Sequence, residues 1–130
     1  MLINRVETRS RSIAAAPERV FAYVADGANL PLWAPAFAPA VRRAGEEWIV
    51  ENGDAAFSVL LPTSAAAGTV DIVAAADRRR GAFTRVLPNG DGATILFTLF
   101  FRPDTPHDAV AAQMAEVDSE LDRIRAACEA

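Results

Sequence analysis

The stretch that decides the fold is TPHDAVAAQMAEVDSELDRIRAAC, residues Thr105–Cys128. Val110, Met114, Val117, Leu121, Ile124 and Cys128 recur in it at alternating spacings of four and three. At 100° per residue these positions fall in an apolar stripe roughly 80° wide, the signature of an amphipathic helix. Asp, Glu and Arg fill its other faces. Thr105 reads as the cap, Pro106 as the first helical residue, and Asp108 stands where a capping box puts its acid. A helix of about 24 residues extends about 36 Å, long enough to cross a sheet.

The surface it would cross lies upstream. Between about residues 37 and 102 the apolar runs AFAPAV, EWIV, AAFSVLLP, GTVDIVAA, GAFTRVL and ATILFTLFFR alternate with turn signals. The turns are Ala44-Gly45-Glu46, Glu51-Asn52-Gly53-Asp54, Pro62-Thr63-Ser64, Ala76-Asp77-Arg78 and Pro88-Asn89-Gly90-Asp91-Gly92. Connections this short predict an antiparallel meander. The last run, Ile95–Phe101, is apolar on both parities. One of its faces meets the interior, and the other calls for a cover, which a partner subunit would supply.

Residues 2–13 add a further strand. Val6, Thr8, Ser10 and Ser12 share one parity, and Arg5, Glu7, Arg9, Arg11 and Ile13 the other. Ala16-Pro17-Glu18 opens a helix that Asp26-Gly27 closes. In Asn29-Leu30-Pro31-Leu32-Trp33-Ala34-Pro35, Asn29 caps a very short second helix and Pro35 stops it. Trp33 is thereby held on a rigid single turn.

Composition narrows the chemistry. Over 130 residues the net charge is −4, which disfavours nucleic acid or an anionic membrane as the main partner. The start has no apolar signal region and no run could span a bilayer, so the expectation is one domain, 1–130, in the cytoplasm without membrane insertion. A single cysteine, Cys128, excludes an internal disulfide, and with a single histidine, His107, it cannot build a Cys/His zinc cluster. All 13 basic residues are arginine, so lysine Schiff-base chemistry is excluded. No metal and no cofactor are expected.

The segment IAAAPERVFAYVADGANLPLWAP (13–35), GTVDIV (68–73), FTRVLPNGDGATILFTLF (83–100) and the terminal SELDRIRAACEA together resemble the START-related SRPBCC superfamily, in its polyketide cyclase/dehydrase-like branch. The likeness covers essentially the whole chain. It implies an α+β helix-grip fold: a curved antiparallel sheet of about seven strands wrapped around the long C-terminal helix, with two short helices after strand one and a cavity between sheet and helix. Where related sequences often read Asp-His after a GVV-like run, this chain reads Asp71-Ile72.

In such a fold Trp33 either closes the mouth of the cavity or plugs the end of the core. The expected lining comes from Trp33, Phe37, Phe57, Phe83, Phe97 and Met114. Gln113, beside Met114, either offers its amide to the cavity or faces solvent. Asp71 and Arg85 form the expected polar feature. They lie opposite each other if the intervening turn is odd and centred on Arg78, whereas a two-residue turn at Asp77-Arg78 would set Asp71 against Thr84. On a concave face the pair would orient a ligand, and on a convex face it would be a surface bridge of little worth. His107 reads as an exposed helix start, Arg78-Arg79-Arg80 as a solvated turn, Asn89–Gly92 as a hairpin turn and Cys128 as packing.

These readings favour a binding module, a carrier or sensor of a small apolar or aromatic metabolite. The alternative is an enzyme of polyketide cyclase, dehydratase or aromatase type, which needs an acid or base at the reacting carbon. Beyond Asp71 and Arg85 the sequence offers no obvious acid–base pair. A third option is an interaction subunit whose cavity has filled in.

Overall fold

The computed structural model describes residues 1–130. In chain order it has β1 (Arg5–Ile13), α1 (Pro17–Ala25), a 3-10 turn (Gly27–Asn29), α2 (Leu30–Trp33), β2 (Ala40–Ala44), β3 (Glu47–Asn52), β4 (Ala55–Leu60), β5 (Thr63–Ser64), β6 (Thr69–Ala74), β7 (Asp77–Asn89), β8 (Gly92–Phe101) and α3 (His107–Glu129). The strands form one antiparallel sheet in the order β1-β8-β7-β6-β4-β3-β2, with the short β5 paired to β6. This is the expected α+β helix-grip architecture. It has one strand more than the sequence suggested, because Thr63-Ser64, read as a turn, pairs with Val70 and Thr69.

The helical stripe is the heart of the core. Val110, Met114, Val117, Leu121, Ile124 and Cys128 are all buried, packed with Val70, Ile72, Val86, Ile95 and Phe97 of the sheet. Burial also pushes the Cys128 thiol pKa up, as suits a packing residue. The N-terminus of α3 departs from the reading by one step. Pro106 occupies the cap position, makes no side-chain cap, and leaves His107 as the first helical residue.

α3 is held at one flank by charge. The inner parity of β1 carries Arg5, Glu7, Arg9 and Arg11 ahead of buried Ile13. Arg11 Nε donates to Asp122 Oδ1 at 2.8 Å, its Nη2 lies 3.5 Å from Asp118, and Arg9 Nε lies 3.7 Å from the same carboxylate. The hydrogen bond from Arg11 holds the Asp122 carboxyl below its ordinary range and raises the guanidinium.

The entry to α2 is more specific than a helix stop. Asp26 is the cap: its Oδ1 accepts from the Ala28 N–H at 3.0 Å, opening the 3-10 turn. A Cβ on Gly27 would overlap the indole of Trp48, so a glycine is required for the chain to pass this tryptophan. Asn29 stands at the cap of α2 but spends its amide elsewhere, donating to the Tyr23 carbonyl at 2.9 Å.

The β6–β7 connection overturns both predicted registers. Asp71 stands opposite Phe83 and Arg85 opposite Thr69, because Ala74 already pairs with Asp77 and the ladder then shifts by the unpaired Arg78–Arg80. Gly81 resumes the pairing at φ 156°, where a Cβ would run into the carbonyl of Ile72.

Candidate functional site

Residues of α2, β6, β7, β8 and α3 surround a cavity of about 320 Å³. α2 and the following residues contribute Leu30, Trp33, Ala34 and Phe37. The sheet contributes Ile72, Ala82 and Gly81 together with Phe97, Leu99 and Phe101. These last three alternate along β8 on the inner parity that also carries buried Ala93 and Ile95, and Phe100 near the strand's end completes the sheet's part of the lining. α3 closes the space with Gln113 and Glu120.

Trp33 is the anchor of this wall. It is 1 % exposed and meets Phe97 edge to face at 6.3 Å. It is therefore a sealed wall residue, and the lip belongs to Phe37, which is 37 % exposed. Phe37 packs at 5.6 Å on Phe57, and both also line the adjoining open grooves. The indole N–H of Trp33 is buried without a hydrogen-bond partner. Its backbone carbonyl lies 3.5 Å from Arg123 Nη1.

The structure brings Trp33, Phe37, Phe97 and Gln113 together as the sequence suggested. Phe57 stands beside this cavity, in the grooves that also border Phe37. Met114 is 1 % exposed and belongs to the helix–sheet core, outside the lining. Asp71, Phe83 and Arg85 are corrections. They share one face, as parity required, but it is the outer one, since Val70, Ile72, Thr84 and Val86 take the buried inner positions. Phe83 packs there on Phe100 at 5.8 Å, and Arg85 Nε donates to the Ala67 carbonyl at 3.3 Å. No hydrogen bond or ion pair joins Asp71 to Arg85, and partial burial alone raises the Asp71 pKa.

Sequence reasoning missed Glu120. It is 5 % exposed, lines the cavity, and accepts no hydrogen bond from the protein. Burial pushes its carboxyl from 4.5 up to about 7; Glu116 adds to the shift and Arg123 opposes it. A signal did exist. At 100° per residue Gln113 and Glu120 sit roughly 20° and 40° off the apolar stripe, on the border opposite Asp118 and Asp122. Polar residues so close to a buried seam meet whatever flanks it.

His107 is exposed, with Nδ1 3.5 Å from Arg5 Nη1. No group of three or more His, Cys, Asp or Glu side chains is placed to hold a metal ion. No helix is long and apolar enough to cross a membrane.

A family profile described as polyketide cyclase / dehydrase and lipid transport matches residues 6–129. Among solved structures, the chain is similar to the protein XoxI from Bacillus cereus, with 15% identity, TM-score 0.72, and 95% of this chain and 94% of that one covered. It is also similar to the Aha1 dimer from Colwellia psychrerythraea, at 13% identity and TM-score 0.74, with 96% of each chain covered. A START superfamily protein from Mycobacterium smegmatis aligns at 15% identity and TM-score 0.67, covering 95% of this chain and 97% of that one. Likenesses this remote speak for the fold alone. No curated protein matches the sequence.

Proposed function

The chain belongs to the polyketide cyclase / dehydrase and lipid transport family, and we propose that it binds a small apolar or aromatic metabolite between its sheet and α3, as a cytoplasmic carrier or sensor. One observation carries this reading: a cavity of about 320 Å³ in which 10 of the 13 lining residues are hydrophobic. A space of that kind rewards an apolar ligand body and leaves few polar groups to orient it. Burying about 300 Å² of apolar ligand surface yields roughly 7 kcal/mol before association costs, which corresponds to weak or micromolar binding. The test is thermal shift and displacement of a hydrophobic fluorescent probe, comparing wild type with the cavity-filling variant Ala82→Phe. Binding by the wild type that the variant loses supports the reading. Absence of binding by any apolar probe to the wild type refutes it.

Glu120 supports a second reading, an enzyme of cyclase or dehydratase type. A buried carboxyl titrating near neutrality is suited to proton transfer. Binding remains the preferred reading because no second titratable group lines the cavity beside it. Turnover of a polyketide-like diketone that disappears in Glu120→Gln would favour the enzyme.

Pairing of two chains is part of the same proposal. On the outer parity of β8, Phe100 is 49 % exposed, and Val6, its register partner on β1, is 51 % exposed. Sedimentation at high micromolar concentration checks it, and a monomer throughout would count against it.

A further inference from the structure

The unpartnered carboxyl of Glu120 faces a cavity with no positive charge. None of the residues lining that space is an arginine. The nearby guanidinium of Arg123 is already engaged: its Nη1 lies 3.5 Å from Glu116 Oε1 and 3.5 Å from the Trp33 carbonyl. Arg80 of β7, next to the lining residue Gly81, borders the adjoining groove and is not part of the lining. Gln113 is the only other polar side chain on the wall, and the Trp33 N–H is sealed within it.

From this arrangement, and resting on the binding reading above, we infer that the ligand carries a cationic amine on its apolar body, seated against Glu120. A carboxylate removed from water without a paired counter-charge is costly, and no arginine on the cavity wall supplies one here. An ammonium supplies both the charge and the N–H donors, as a charge-assisted hydrogen bond. The walls suit it as well, since aromatic rings attract a cation over their faces. An anionic ligand meets the reverse. It would join Glu120 and the neighbouring Glu116 with no arginine on the cavity wall to pair with it. A raised carboxyl pKa is what such an unpaired site produces. Amine binding therefore strengthens as pH rises and Glu120 gives up its proton.

The experiment uses three naphthalene probes of one shape: 2-naphthylmethylamine, 2-naphthalenemethanol and 2-naphthoic acid. Their affinities for wild type and Glu120→Gln are measured calorimetrically at about pH 8 and about pH 6. The amine is expected to bind about tenfold tighter than the alcohol at the higher pH, and the acid weakest of all. Glu120→Gln should bring the amine to the level of the alcohol and leave the alcohol unchanged. In wild type alone, the preference for the amine should shrink at the lower pH, a readout that stands even if the variant fails to fold. An acid binding as tightly as the amine, or an amine preference that ignores both pH and Glu120→Gln, overturns the inference. Alcohol binding without amine preference sinks the inference and spares the binding reading. If no probe binds the wild type, both fall.

Discussion

Trp33 and Phe97 meet edge to face, their planes at 85°, and so tie α2 to β8 of the cavity wall. T-shaped aromatic pairs are worth something beyond the area they bury. Truncation of Trp33 to alanine should therefore cost about 3–5 kcal/mol, the range for large aromatics in cores. Trp33→Phe should cost much less, because it also removes an indole N–H that has no partner. Urea unfolding of both variants measures this. Equal losses would mean that ring volume and contact with Phe97 do not matter.

The titration of Glu120 gives stability a direction in pH. Its carboxyl rises from 4.5 in the unfolded chain to about 7 in the fold. Between those values the folded protein holds the proton more tightly, so this contribution is full below about pH 4.5 and is lost as pH rises through 7. The whole effect is on the order of 3 kcal/mol. Relative to Glu120→Gln, wild type should thus lose stability between about pH 4.5 and about pH 8. A pH-independent difference between the two proteins would show that Glu120 titrates normally.

On the outer face, Asp71→Asn and Arg85→Gln should be additive. The two residues stand in different cross-strand pairs and share no hydrogen bond. Their separate effects on stability should sum to within about 0.5 kcal/mol in a double-mutant cycle. Neither change should alter ligand affinity. A large coupling would mean that the strands pair differently from the register described.

Arg11 and Asp122 should behave in the opposite way. They are joined at 2.8 Å, with side-chain exposures of 23% and 50%. A cycle on Arg11→Gln and Asp122→Asn should show favourable coupling at low salt that fades as ionic strength reaches about 0.5 M. Coupling absent at every salt concentration would make the contact incidental.

The long helix was legible from residues alone because its period is built into the chain: Val110 through Cys128 repeat the geometry of the backbone they form. Trp33, Phe37 and Phe97 could likewise be placed from element order. The β6–β7 register could not. It depends on the unpaired Arg78–Arg80, a local misalignment that alternation does not record. The face of Asp71 is a separate matter: it follows from which side of the sheet α3 takes, which nothing within β6 or β7 records, so its role was misread as well. Glu120 was hidden for another reason. A glutamate in an amphipathic helix normally marks the wet face, and only the third dimension reveals that α2 and the sheet close over this one.

The charged inner parity of β1 has a consequence beyond holding α3. β1 ends the sheet on one side, and a terminal strand exposes unpaired amides to which a foreign strand can add. Arg5, Glu7, Arg9 and Arg11 make that addition unfavourable. An incoming strand would have to lie beside a row of guanidinium and carboxylate groups, some already committed to Asp118 and Asp122. The ion pairs thus protect a concentrated solution of this protein from growing into β-linked aggregates along β1. Replacing them with aliphatic residues would make a better-packed helix contact and a stickier molecule.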